Sequence, residues 1–151
     1  MYDSRPDTEK HIARVQELLG YCIHEFRHRA DVHDLSKLED PEKSTFDEFT
    51  PKLAASTYGS AEYKEMLSGL KPALDHHYQE NSHHPEHYIN GVNDMNLFDI
   101  LEMLMDWKAA TERHDNGSID KSIRINQSRF GINEQLVIIL ENTIKYMNLN
   151  G

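Results

Sequence analysis

Leu97-Phe98-Asp99-Ile100-Leu101-Glu102-Met103-Leu104-Met105-Asp106-Trp107-Lys108-Ala109-Ala110-Thr111-Glu112-Arg113 carries apolar residues nearly all round a 3.6-residue period. Such a stretch predicts a central, buried helix over 97–113. C-terminal to it, Ser118 to Phe130 and Asn133 to Asn148 read as two further helices. Gly131 is free to take positive φ at a helix end, and Asn133 is a good N-cap. N-terminal to it, residues 81–96 contain Pro85, Gly91 and several asparagines without periodicity, a loop long enough to suggest function or mobility rather than a simple connector. Tyr63, Met66, Leu67, Leu70 and Leu74 recur at helical spacing in Ala61 to Glu80, with Pro72 as a kink, after a turn at Tyr58-Gly59-Ser60. Asp40-Pro41-Glu42 reads as the start of a short helix to about Phe49. Ile12, Val15, Leu18, Leu19, Cys22, Ile23 and Phe26 mark an amphipathic helix from about Asp7 to Arg29. No alternating strand pattern exceeds four residues. The expectation is an all-α chain of six or seven helices forming one domain over 1–151.

Composition narrows the function. The chain has 151 residues, 38% hydrophobic and 28% charged. Its longest apolar run, Leu136 to Leu140, falls far short of the roughly 20 residues of a membrane span. Asp3, Arg5, Asp7, Glu9 and Lys10 crowd the N-terminus, where no secretory apolar segment is read, so a cytoplasmic location is expected. Sixteen Lys and Arg face 26 Asp and Glu, a formal charge of -10. That balance argues against an extended nucleic-acid surface. It leaves room for a small phosphorylated substrate, because bound metal ions supply positive charge locally. The single cysteine, Cys22, is expected in the core. Leu136 to Leu140 suits either a core or a partner helix, which leaves homo-oligomerisation open. Histidine is the unusual entry: ten residues, five of them between His76 and His87.

His33 and Asp34 offer an imidazole and a carboxylate side by side, a donor pair suited to a divalent transition metal. The bland alternative is Asp34 capping a short helix with His33 in solvent. His11 lies 22 residues upstream at the edge of the first apolar stripe. Asp106 falls inside the helix expected to be buried, where a carboxylate needs a cation, a hydrogen-bond network or a metal.

The order of His11, the His33-Asp34 doublet followed by Lys37, and Asp106 resembles the HD superfamily of metal-dependent phosphohydrolases. The segment from His33 to Lys37 is also similar to that of short bacterial and phage proteins. The resemblance implies an HD-like helical bundle with His11, His33, Asp34 and Asp106 as metal ligands. It implies hydrolysis of a small phosphorylated molecule, most simply a nucleotide, by metal-activated water. Asp34 or a second acid near it would handle protons, and Lys37 would hold a phosphate oxygen or orient the water. By the same resemblance His76 and His77 add ligands for a second ion, although no histidine lies between Asp34 and His76, as that pattern expects. Arg14 shares a face with His11 and would bring positive charge to substrate, or pair with Glu17 or Glu9 at the surface. His83 and His84 would contact phosphate from a lid, or lie in a solvated loop. One or two ions of Mn, Fe, Co, Ni or Zn suit such donors. Two other readings stay open: a di-iron oxygenase with the same ligand arrangement, and a non-catalytic helical module, such as a phage-encoded binder of a host protein.

Overall fold

The computed structural model describes residues 2–55, 61–113, 115 and 117–150, without the side chains of 53–55, 61–64 and 67. The turn at Tyr58-Gly59-Ser60, His114, and the side chains of Tyr63 and Leu67 lie outside the described residues. Among those described, the regular structure is entirely helical, as expected. Six α-helices follow in order: α1 (Arg5–Val32), α2 (Glu42–Ala55), α3 (Ala61–Glu80), α4 (Leu97–Thr111), α5 (Ile119–Phe130) and α6 (Glu134–Tyr146). Short 3₁₀ turns occupy Leu35–Leu38, Pro85–His87 and Gly91–Asp94. No described helix is long and apolar enough to cross a membrane.

Where one domain over 1–151 was expected, the chain divides into two compact units, Met1–His33 and Asp34–Gly151. The first is the single long helix α1. It runs past both expected ends, with Pro6 in its first turn and Arg29 in its last, each placed where helices accept it.

Within the second unit the core lies among α4, α5 and α6. Leu104, Ile119, Ile123, Ile132, Val137, Leu140 and Ile144 are buried together. Trp107 and Phe130 stack beside them with centroids 6.3 Å apart. Helix boundaries follow the caps. The Asn96 side chain accepts from Phe98 N and Asp99 N, and Asp99 returns the bond to the Asn96 amide, closing a capping box. Ser118 and Asn133 cap α5 and α6, and Gly131 ends α5 at φ +63°. Helix α2 continues past Phe49 through Pro51 and packs against α3. A Cβ on Gly69 would stand 2.4 Å from the Phe49 ring, so the glycine makes room for that contact.

Helix α4 is not buried on all sides. Asp99, Met103, Leu104 and Lys108 are buried, whereas Leu97, Ala109 and Ala110 are exposed and Asp106 is half-buried. The small alanines fit a surface as well as a core, which is how an all-round apolar pattern overstates burial.

Candidate metal centre

Asp34, His77, His83 and His84 each point one donor atom at a common position, and these atoms all lie within 4.8 Å of one another. Three local features build the cluster. Asp34 takes a left-handed backbone conformation, φ 57° and ψ 15°, which aspartate tolerates better than most residues. The Leu35–Leu38 turn starts there, with Lys37 N donating to Asp34 O at 3.0 Å. That turn returns the Lys37 ammonium to Asp34 Oδ2 at 2.6 Å. His77 stands in the last turn of α3. Beyond it, Asn81 N donates to His77 O and His84 N to Asn81 O, folding the chain back so that His83 and His84 rejoin His77.

A buried carboxylate fastens this loop to α4. Asp99 accepts from Ser82 Oγ at 2.8 Å, Tyr88 OH at 2.8 Å and Asn96 N at 3.0 Å. Helix α4 carries Asp99, Glu102 and Asp106 at i, i+3 and i+7, one face of the helix. Asp99 anchors the loop and Glu102 Oε1 lies 3.2 Å from His83 Nδ1. An Asp106 oxygen lies within 4.8 Å of one on Asp34.

His77 Nε2 lies 3.4 Å from Asp34 Oδ1 and 2.9 Å from His84 Nε2, and His83 Nε2 lies 3.4 Å from the same Asp34 oxygen. Around a tetrahedral ion with bonds of about 2.05 Å, neighbouring donors stand about 3.3 Å apart. The observed spacings bracket that value. His77 and His83 are each 2% exposed, so the donors face inward rather than to solvent. On the far side of each ring is a carboxylate, Glu42 Oε2 at 2.9 Å from His77 Nδ1 and Glu102 beside His83 Nδ1. Histidines that ligate metals commonly show this backing, which fixes the tautomer that leaves Nε2 free to coordinate. The donor set therefore fits a divalent transition metal.

Electrostatics separates the three imidazoles. Burial opposes charge on His83, but hydrogen bonds to Asp34 and Glu102 prevail and raise its pKa to about 9. His84 is pushed down to about 3, first by burial and then by the charge of His83 and His77. His77 is lowered by burial and by the Lys37 charge, against the pull of Asp34 and Glu42. Burial pushes Glu42 upward, yet hydrogen bonds with His76 and Ser36 and the neighbouring His77 hold it below the usual carboxylate range.

The expected site is thus partly reassigned. Asp34 and His77 stand in the cluster, and Asp106 stands beside it. His83 and His84, expected as phosphate contacts on a lid, are donors of the cluster itself. His76 turns away, its Nδ1 on Glu42 Oε1 at 2.8 Å, and is not in the ligand set. His11 is removed from that set as well. It is exposed on α1, about 33 Å along the helix axis from His33 at 1.5 Å per residue, too far for the two to share an ion. Arg14 is exposed and paired with Glu17 at 2.6 Å, the surface alternative. His33 is the residue after the last turn of α1, its amide donating to Arg29 O at 2.8 Å, one peptide bond before Asp34. Glu42 and Glu102 were not foreseen. The Asp99-x-x-Glu102-x-x-x-Asp106 spacing was a usable sign of the latter, and Glu42 had none beyond its helix-start role.

These features define an all-α chain with a histidine and carboxylate cluster that could hold a metal ion. Over residues 1–146 it matches DUF5662, described as a family of unknown function, and it belongs to that family. No curated protein and no solved structure matches it.

Proposed function

We propose that Asp34, His77, His83 and His84 hold a divalent transition metal and that the protein is a metal-dependent hydrolase of a small phosphate ester, a nucleotide being the first candidate. The convergence of His77 Nε2 and His83 Nε2 on Asp34 Oδ1, with His84 Nε2 beside His77 Nε2 and carboxylates behind His77 and His83, carries the metal assignment. Imidazole-rich sets favour transition metals over magnesium and calcium, which take oxygen ligands. A divalent ion held there would supply Lewis acidity and would lower the pKa of a bound water toward neutrality. Lys37, held at Asp34, brings a cation to the edge of the site for an anionic substrate. Asp34 and Asp106 lie close enough to share a second ion. The resemblance to the HD superfamily in the doublet, Lys37 and Asp106 supports phosphate ester hydrolysis as the reaction.

Elemental analysis of the purified protein beside Asp34→Ala and His83→Ala, each checked for helical content, tests the metal. At least half an ion per chain in the parent, lost from both variants, is expected. Phosphate release from a panel of nucleotides and sugar phosphates, abolished by a chelator and restored by the ion found, tests the reaction. Iron content with oxygen uptake and no phosphate release would move the centre to oxygen chemistry. A parent that takes up no manganese, iron, cobalt or zinc refutes the site.

A further inference from the structure

Glu42 opens α2, and its side chain is fully buried. A helix start calls for an acid in the first turn but not for its burial, and burying a carboxylate is costly unless every oxygen is satisfied. The two oxygens divide their partners: Oε1 lies 2.8 Å from His76 Nδ1 and Oε2 lies 2.9 Å from His77 Nδ1. We propose that Glu42 is the positioning residue of the metal centre, fixing His77 in the tautomer whose Nε2 lone pair faces the ion. The proposal rests on the metal reading above and adds to it a residue that touches no ion itself.

The hydrogen-bond network assigns the proton. The Asn81 amide has two hydrogens, and it lies 2.9 Å from Ser36 Oγ and 2.8 Å from His77 O. Both hydrogens are placed by these oxygens, so the amide does not need His77 Nδ1, although that nitrogen is 3.0 Å away. Ser36, accepting from Asn81, keeps its own hydrogen for Glu42, with which it is hydrogen-bonded. An ionised Glu42 can only accept, so the proton between it and His77 belongs to the imidazole Nδ1. A neutral imidazole protonated there presents an unprotonated Nε2, the atom 3.4 Å from Asp34 Oδ1. His76 occupies the other oxygen and lines a cavity of about 410 Å³ with Leu35, Ser36, Glu39, Asp40 and Glu80. Glu42 therefore acts on the centre through His77, while His76 holds its second oxygen on the cavity side.

A glutamine at 42 has one acceptor oxygen where the carboxylate has two. It can accept from His76 or from His77, and its NH₂ meets the other imidazole as a donor. Cobalt titration of the parent, Glu42→Gln, Glu42→Asp and His76→Ala, followed by calorimetry and by the visible absorption of the bound ion, reads the effect. Glu42→Gln is expected to bind roughly 10- to 100-fold more weakly, with an altered visible band. Glu42→Asp, which keeps both acceptors, recovers part of the affinity and the parent band, and His76→Ala stays within about threefold of the parent, as expected if His77 carries the effect. Nitrogen-15 correlation spectra of the metal-free parent test the tautomer without any variant, and His77 is expected with its proton on Nδ1. A folded Glu42→Gln with the parent's affinity and band overturns the positioning role, as does a parent His77 protonated on Nε2 alone. A parent that binds no cobalt fails earlier, at the metal reading itself.

Discussion

On the metal reading, an ion binding at this centre would have to displace a proton, and the electrostatics of the three imidazoles sets how many. His83 has a pKa raised to about 9, whereas His84 sits at about 3 and His77 is shifted downward from its ordinary value. At pH 7 only His83 of the three is charged, and its Nε2 must lose its proton before it can coordinate. Two pH units below its pKa, about one chain in a hundred has His83 ready. The apparent affinity at pH 7 is therefore about 100-fold, or about 2.7 kcal/mol, below its limit above pH 9. Each unit of pH between 6 and 8 changes the affinity about tenfold, in the direction of tighter binding at higher pH. Calorimetric titration with zinc at pH 7, in two buffers of different ionisation enthalpy, counts the protons released. The expected count is close to one per ion. His84 contributes none, because it is neutral at this pH and has no net proton to lose. A count near zero with zinc bound would show that His83 is neutral or outside the ligand set, and a count near three would show that all three imidazoles start charged. Either result refutes the electrostatic account of the site.

Two further outcomes follow from the same groups. In the metal-free chain His83 has a folded pKa of about 9 against 6.5 unfolded, so its contribution to stability is complete below pH 6.5 and is lost as pH rises through 9. The loss is up to about 3 kcal/mol, measurable as a fall in urea midpoint between pH 6 and 9.5 in chelator, and an equal fall in His83→Ala would dismiss it. Asp99→Ala removes the acceptor of Ser82, Tyr88 and Asn96, costs about 2–4 kcal/mol and loosens the loop that carries His83 and His84. Its cobalt affinity should fall together with its stability, and unchanged affinity in a folded variant would detach the loop anchor from the site.

What could be read in the sequence was mainly local. Gly131 ends a helix and Asn133 caps one, as their chemistry led us to expect, while the caps made by Asn96 and Ser118 emerged only with the structure. Reading the site was harder because its donors meet through turns that no periodicity announces. The histidine-rich stretch was visible, but its return onto His77 depends on the Asn81 and His84 amides and on Asp99, partners whose pairing is settled only by the folded chain. His11 illustrates the opposite error. Its place in the order of residues matched a familiar arrangement, while the rise of a continuous helix carries it about 33 Å from His33. Glu42 went unseen because Asp40-Pro41-Glu42 already had a sufficient local explanation. A residue with one adequate role in the sequence hides a second that only packing creates.

The charge around the centre bears on how a phosphate ester would bind. Asp34, Glu42, Glu102 and Asp106 gather four carboxyl groups near three imidazoles, with Lys37 held on Asp34 Oδ2. The chain as a whole carries a formal charge of -10, so no distant field offsets them. An anionic substrate approaching the metal-free centre meets carboxylates first, and Lys37 is already committed to one of them. On the metal reading, a divalent ion would change this balance twice, by adding its own charge and by engaging the Asp34 carboxylate. A second ion between Asp34 and Asp106 would change it again by covering the carboxyl group that the first leaves open. On the hydrolase reading the metal is therefore needed for substrate binding as well as for the water. Chelation should abolish binding of a non-hydrolysable phosphate analogue along with turnover, whereas an ion used for the chemistry alone would leave that binding intact.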